Sequence, residues 1–155
     1  MGMDVYGQNP SDDVGKYFRR NVWGWRPLWN FVIDHDLIPK TVARRGHFND
    51  GAGLDADGSV ELSECLLGLV DSGLAAEYVA KRNAELLALP AVTCDICAGT
   101  GGRLPPPTCG AGGKPCNGCD SKGSKPSFDT YYSLDVQDIA EFAAFLAKCG
   151  GFSIN

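Results

Sequence analysis

The sequence predicts a single α+β domain, residues 1–155, that is mainly helical and carries a four-cysteine insertion at residues 93–127. Three observations support this fold class. Apolar residues recur at helical spacing in several segments, and the two ends contain short β-prone stretches, MDVYG and FSI. Residues 93–127 instead combine many Gly, Pro and Cys residues with almost no apolar periodicity. A hydrophobic content of 44% over 155 residues suffices for one core of ordinary density.

In the N-terminal part, the pattern predicts one strand followed by two helices. MDVYG is the strand, and Ser11, Asp12 and Asp13 suit the N-cap and first turn of a helix over PSDDVGKYFRRNVW. Because Gly24 and Pro27 interrupt the apolar stripe, we expect two helices that meet near residue 25, the second over RPLWNFVIDHD. The stripe consists of Val14, Tyr17, Phe18, Val22, Trp25, Trp29 and Val32.

The remainder predicts a loop, a long helical tract and a C-terminal helix. TVARRGHFNDGAGLDADG indicates a loop, and the helical tract after it breaks at DSG and ends before Pro90. TYYSL indicates a strand, and Ser133 suits the cap of a helix over LDVQDIAEFAAFLAKC. Gly150 and Gly151 end that helix in the left-handed conformation, so that FSI can pair with the N-terminal strand.

Charge and hydropathy restrict the location and the partners. The net charge is −5, and no segment carries the broad basic face that phosphate recognition needs. The start of the chain shows no secretory leader, and the longest apolar runs, CLLGLV and LLALPAV, are too short to cross a bilayer. We therefore expect a cytoplasmic protein, in which paired cysteines are metal ligands rather than disulfides.

Two Cys-x-x-Cys pairs form the strongest motif of the chain. Cys94 and Cys97 lie in CDICAGTGG, and Cys116 and Cys119 lie in CNGCDSKG. Two thiolates on one tight turn can bind a single ion, and a second such turn completes the tetrahedron that zinc prefers. The glycines permit the backbone to fold back behind each pair. The alternative, four unpaired surface thiols, is disfavoured because exposed thiols are a liability.

Four protein ligands predict a structural zinc site rather than a catalytic one, since a catalytic zinc keeps a water position. The insertion has no core of its own, and structural zinc contributes roughly 10 kcal/mol or more to the folding of such modules. Cys109 lies between the pairs and could replace one ligand, although the paired spacing argues against it. We expect Cys65 and Cys149 to be small buried residues.

The cysteine region also resembles a known module. CDICAGTG matches the Cys-x-x-Cys-x-Gly-x-Gly repeat of DnaJ-type chaperone zinc modules, but CNGCDSKG lacks the first glycine and no J-domain signature is present. This resemblance, over residues 94–123, implies a zinc knuckle and not a chaperone. The chain also resembles a group of small uncharacterised zinc-binding proteins of bacteria and their phages, in the segments DVYG, YFRRNVWGWRPLW, NDGAGLD and CGGF. That second resemblance implies no activity, but it adds a phage-encoded regulator to the candidates.

Residues 53–64, from Gly53 to Glu64, match the pattern of an EF-hand calcium loop except at one position. Asp55, Asp57 and Glu64 fall at ligand positions, but Gly53 stands where an EF-hand needs an acidic residue. The favoured alternative is a turn in which Asp57 or Ser59 caps the next helix.

A polar loop and an aromatic region are weaker candidates. His47, Asn49, Asp50 and Asp55 could form a ligand site, although a solvated loop is favoured. In YFRRNVWGWRPLW, three arginines and three tryptophans suit stacking or an interface. We expect core positions for Trp25 and Trp29, exposure for Trp23 and a solvated face for the arginine pair Arg19 and Arg20.

The favoured function is a non-enzymatic, zinc-stabilised binding protein or regulator with a protein partner. The phage resemblance implies a phage-encoded inhibitor of a host or defence complex. No catalytic motif is present, and the two histidines limit acid–base chemistry. Two alternatives stay open. One is a zinc-ribbon protein that binds nucleic acid, which the acidic charge disfavours. The other is a small enzyme or ligand-binding protein that uses the His47–Asp57 loop.

Overall fold

A computed structural model describes residues 2–103 and 114–155 of the chain. It confirms the predicted class, an α+β fold that is mainly helical with small antiparallel sheets. The chain divides into two compact units, here called the helical unit (Met1–Ala84 and Tyr132–Asn155) and the cysteine unit (Glu85–Tyr131). The predicted insertion at residues 93–127 falls inside the cysteine unit.

Eleven elements follow one another along the described residues. They are β1 (Gly2–Gly7), β2 (Tyr17–Asn21), α1 (Val22–Asp34), α2 (Lys40–Arg45), α3 (Ala56–Asp71), α4 (Leu74–Leu87), β3 (Val92–Thr93), β4 (Ser124–Lys125), a 3-10 helix (Phe128–Tyr131), α5 (Val136–Leu146) and β5 (Phe152–Ile154). Among these described elements, no helix has the combined length and apolarity that a bilayer span requires.

The three longer strands form one antiparallel sheet in the order β2-β1-β5. The predicted pairing of FSI with the N-terminal strand is confirmed, with Val5 opposite Ile154. The predicted helix over residues 10–23 is wrong, because β2 pairs with β1 and places Phe18 opposite Val5 in the core. A tight turn precedes β2, in which the Asp12 carboxylate accepts the N–H groups of Val14 and Gly15.

Helix α1 is continuous, so the predicted break near residue 25 is wrong. Asn21 caps the helix by accepting the N–H of Gly24 at 3.0 Å, and Gly24 and Pro27 lie inside it. Pro27 lacks the N–H that would bond to the Trp23 carbonyl. The cost of that lost bond is outweighed by the burial of an almost unbroken apolar face, which consists of Trp25, Pro27, Leu28, Trp29, Phe31 and Val32.

Two tryptophans form the centre of the helical unit, as predicted. The rings of Trp25 and Trp29 stack with centroids 5.3 Å apart, and both are fully buried. Their indole N–H groups donate to the carbonyls of Gly46 and Ala43, at 2.7 and 3.0 Å. Those carbonyls lie at α2, a short helix in a segment that the sequence predicted as loop. The indoles thus satisfy backbone groups that burial would otherwise leave unpaired.

Helices α3 and α5 pack together over the same core. The predicted break at DSG and the end before Pro90 are confirmed by α3 and α4. Gly150 and Gly151 have positive φ values of 60° and 92° after α5, also as predicted. Two C-terminal predictions are wrong. Asp135, not Ser133, caps α5 by accepting the Gln137 N–H. The segment TYYSL, residues 130–134, is not a strand, because it begins inside the 3-10 helix Phe128–Tyr131 and continues without regular structure.

Candidate metal centre

The four predicted ligands lie together in the cysteine unit. The sulfurs of Cys94 and Cys116 are 3.9 Å apart, and those of Cys97 and Cys119 are 3.7 Å apart. All four sulfurs lie within 4.8 Å of one another, and all four residues are buried. A tetrahedron of thiolates around zinc, with Zn–S near 2.3 Å, has edges of roughly 3.8 Å. The cluster therefore has the dimensions of a four-sulfur metal site.

The two Cys-x-x-Cys turns repeat the same hydrogen bonds, so the site has approximate two-fold symmetry. Cys94 N–H donates to the Gly123 carbonyl at 2.9 Å, and Cys116 N–H donates to the Gly101 carbonyl at 2.9 Å. Within each turn, the N–H three residues after the second cysteine returns to that cysteine's carbonyl, from Thr100 at 3.0 Å and from Lys122 at 2.9 Å. The first cysteine of each turn is thus hydrogen-bonded to the glycine that ends the other turn.

The backbone behind each pair follows the same left-handed path. Ala98 and Asp120 have φ values of 50° and 49°, and the next residues, Gly99 and Ser121, have 85° and 64°. Ser121 therefore adopts the conformation of the glycine that the second repeat lacks. The left-handed conformation is sterically strained for a serine and would not be for a glycine. This position can be found in the sequence from its spacing, because it lies two residues after the second cysteine of each pair.

Gly101 and Gly123 are the positions where the two turns approach most closely. A Cβ on Gly101 would lie 2.4 Å from the Ser121 carbonyl oxygen, and a Cβ on Gly123 would lie 2.3 Å from the Gly99 carbonyl oxygen. Both glycines also have positive φ, 74° and 75°. No L-residue with a side chain fits these two positions without moving the facing turn.

Backbone amides and neighbouring thiols set the protonation of the cluster. Burial opposes ionisation of Cys97, but the N–H groups of Gly101 and Gly99 and the neighbouring thiols outweigh it and lower the pKa of the Cys97 thiol to about 7. Burial and the neighbouring thiols raise the pKa of the Cys119 thiol to about 12, although the Gly123 N–H donates to its sulfur at 3.3 Å. A metal ion that binds at neutral pH must therefore displace the proton of Cys119.

The donor set decides which ions fit. Four thiolates at tetrahedral spacing suit zinc and other thiophilic ions rather than magnesium or calcium. Because the protein would supply all four ligands, no position is left for a reacting water. A metal bound here would fasten the two turns to each other.

The other cysteines have different environments. Cys149 is buried, as predicted, and its thiol contacts the Leu146 carbonyl at 3.3 Å. The prediction that Cys65 is buried is wrong: α3 buries Ser59, Leu62, Ser63 and Leu66, and Cys65 lies on its exposed face. Cys109, the possible substitute ligand, falls outside the described residues.

The calcium-like segment is a helix start rather than an EF-hand loop. Asp55 caps α3 by accepting the Gly58 N–H at 2.9 Å, so the cap is Asp55 and not the predicted Asp57 or Ser59. Gly53 lies against the C-terminal strand, where a Cβ would fall 1.7 Å from the Phe152 carbonyl oxygen. This position therefore has no room for the acidic side chain of a calcium loop.

The polar loop residues are not gathered into one site. Asp50 is tied to Arg45 at 2.9 Å and to the Ala52 N–H at 3.1 Å, while Asn49 reaches the Gly2 carbonyl at 3.4 Å. His47 lies instead beside Arg26, and burial followed by that charge lowers the pKa of its imidazole. A shallow cavity of about 280 Å³ lies there, lined by Arg26, Asn30, His47 and Phe48.

The arginine and tryptophan region is mostly structural. Trp23 is half-buried and packs on Tyr132, with ring centroids 4.9 Å apart, so its predicted exposure is only partial. Arg19 remains on the surface near Asp4, as predicted. Arg20 does not face solvent freely, because it binds Asp138 and Glu141 of α5 and lies over the Phe18 ring.

Comparisons with protein-family models, with curated proteins and with solved structures gave no match to this chain. The resemblances to DnaJ-type zinc modules and to small bacterial and phage proteins thus rest on the quoted residues alone. The geometry of the four sulfurs stands independently of them.

Proposed function

We propose that the chain is a non-enzymatic protein-binding protein whose cysteine unit is folded by one structural zinc ion. The observation that supports this most strongly is the buried cluster of Cys94, Cys97, Cys116 and Cys119, whose sulfurs have the spacing of a closed tetrahedral site. A closed site fixes structure and offers no coordination position to a substrate. The metal's role is then to hold a surface in shape.

The kind of partner follows from charge and from the resemblance of the chain. A net charge of −5 disfavours a nucleic acid, because a net negative charge repels its phosphates. A protein partner is compatible with this charge. The resemblance to small proteins of bacteria and phages makes a host complex or a defence complex the first class of partner to test.

The experiment is a metal-dependent pulldown. We expect zinc-loaded full-length protein to recover a specific protein from a lysate of its native host cells, and the quadruple variant C94S/C97S/C116S/C119S to lose it. Cys65→Ser is the matched control, since Cys65 lies outside the cluster and is exposed. Circular dichroism of the quadruple variant establishes that the helical unit persists. Equal recovery by wild type and quadruple variant, or no specific recovery by zinc-loaded protein, contradicts the proposal.

A further inference from the structure

Relative to its size, the described part of the cysteine unit exposes more large apolar side chains than the helical unit does. Large hydrophobic residues are usually buried, and contiguous exposed groups of them mark interaction sites. Leu87 is the most exposed of all those described, at 81% of its full surface. The exposed large hydrophobic residues of this unit are Leu87, Leu89, Val92, Ile96, Phe128 and Tyr131.

Several of these residues line one groove that lies entirely within the cysteine unit. Its volume is about 580 Å³, enough to hold more than one side chain of a bound segment. Leu87, Leu89 and Ala91 come from the segment before β3. Pro126, Thr130 and Tyr131 come from the segment after β4. The groove is therefore a mainly apolar cleft between two stretches of chain.

The charge on the groove has one sign. Lys122 and Lys125 line it together with the Ser124 hydroxyl, and none of its lining residues is acidic. Lys125 is bound to Asp95, which lowers the pKa of that carboxyl group. Lys122 has no ion pair within residues 2–103 and 114–155. An acidic ligand group beside the apolar cleft can therefore pair with the Lys122 ammonium without displacing an existing partner.

The groove is held in shape by the cysteine turns. Lys122 follows Cys119 within its turn, and its N–H donates to the Cys119 carbonyl at 2.9 Å. Strand β4 begins directly after Gly123, whose carbonyl accepts the Cys94 N–H, and β4 pairs with β3. A metal that fixes the two turns thereby fixes one wall of the groove.

We propose that this groove binds an acidic, amphipathic peptide segment of a protein partner. A large apolar side chain of the segment packs against Leu87, Leu89 and Tyr131, and an Asp or Glu carboxylate next to it pairs with Lys122. This inference rests on the proposed protein-binding function and names the surface and the chemistry of the partner. It also makes binding dependent on the metal, since one wall of the groove follows the cysteine turns.

The test uses full-length, zinc-loaded protein and a random dodecapeptide library displayed on filamentous phage. We expect enriched peptides to place Asp or Glu beside Leu, Phe or Trp. The best synthetic peptide should lose about tenfold in affinity or more with Leu87→Asn and with Lys122→Glu. The matched controls Leu74→Asn and Lys81→Glu change exposed residues of α4 in the helical unit and should leave the affinity unchanged. Lys122→Glu should shift selection toward peptides with Lys or Arg.

Four results would show that the groove is not the binding site. The pulldown described above distinguishes them from the case in which the chain binds no protein at all. Peptides that bind equally to wild type and to the Leu87 and Lys122 variants overturn the groove assignment, as does enrichment without acidic residues. A concentration-dependent dimer that Leu87→Asn abolishes would mean that a second copy covers the groove. A partner recovered equally well by the groove variants would leave protein binding intact while removing the groove as its site.

Discussion

Single residues at the four-cysteine cluster decide how closely its two turns approach. The ligands were predictable from the sequence, because Cys-x-x-Cys spacing is local and each pair needs only one turn. The conformation of Ser121 was not predictable from composition, since serine favours φ below zero and only the neighbouring turn holds it at 64°. Similarly, the exposure of Cys65 depends on which face of α3 is buried, a choice made by the partner helix α5 and not by Cys65 itself.

Gly123→Ala tests the close approach of the turns. The new Cβ would fall 2.3 Å from the Gly99 carbonyl oxygen at a φ of 75°, so the turns must separate. Left-handed strain costs roughly 1–2 kcal/mol, and we therefore expect zinc affinity to fall about tenfold or more. Competition with a chromophoric chelator measures this. Gly102→Ala is the matched control, because its nearest contact would be 3.8 Å away; equal losses in both variants would contradict the account.

At the scale of elements, long-range pairing overrode local pattern in the first part of the chain. Residues from Val14 to Val22 fit a helical stripe, but β2 forms because Phe18 meets Val5 across the sheet and Arg20 reaches α5. Likewise α1 continues past Gly24 and Pro27 because its buried face is nearly continuous. The strand at each end and the break at DSG were predictable, since local turn residues and short β-prone runs specify them.

Ser63→Ala tests the packing of α3 on α5. The buried Ser63 hydroxyl donates to the Ala143 carbonyl at 2.7 Å, and its loss should lower the free energy of unfolding by about 1 kcal/mol. The cost stays moderate because the Ala143 carbonyl keeps its helical partner, the Ala147 N–H at 3.0 Å. Urea unfolding provides the measurement. The exposed Ser72, which donates to the Leu69 carbonyl, supplies the control Ser72→Ala; a Ser63 variant as stable as that control would refute the role of this bond.

The ion pair between Arg20 of β2 and Glu141 of α5 should make the stability of the fold depend on pH in the acidic range. Hydrogen bonds from Gln137 and then from Arg20 lower the pKa of Glu141. A carboxyl group with a depressed folded-state pKa contributes stability that is present above its unfolded pKa, 4.5 for Glu141, and lost as the pH falls through the folded value. Arg20→Met should therefore lower stability at pH 7 and flatten the loss of stability below about pH 5.

Urea midpoints measured across this acidic range check the Arg20 prediction. Lys16→Met is its control, because the Lys16–Asp13 pair is highly exposed and contributes little. An acid profile of Arg20→Met that parallels the wild type would show that this ion pair does not carry the pH dependence.

At the scale of the whole molecule, the two units are stabilised in different ways. The helical unit has an extended apolar core that includes Trp25, Trp29 and Phe142. In the described part of the cysteine unit, the buried hydrophobic cluster consists of the four cysteines themselves. The composition of residues 93–127 predicted this difference, because a segment rich in Gly and Pro cannot bury enough apolar surface.

Removal of the metal should therefore unfold one unit and spare the other. After treatment with a strong chelator under reducing conditions, we expect the amides of residues 85–103 and 114–131 to lose protection from hydrogen exchange. Strands β1, β2 and β5 and helices α1, α3 and α5 should retain their protection, because the helical unit has an apolar core of its own. The unfolded cysteine unit then becomes a long loop of the helical unit, and the entropy cost of closing such a loop grows only slowly with its length. Hydrogen exchange with mass spectrometry resolves the two. Simultaneous loss of protection in both units would contradict independent stabilisation.

The most direct test of the account is the metal content and coordination of the purified, reduced protein. Elemental analysis should find one zinc ion per chain, and X-ray absorption at the zinc edge should find four sulfur neighbours at about 2.3 Å. The variant C94S/C97S/C116S/C119S should contain none. Protein without a tightly bound metal, or zinc with nitrogen or oxygen neighbours in place of the four sulfurs, would contradict it.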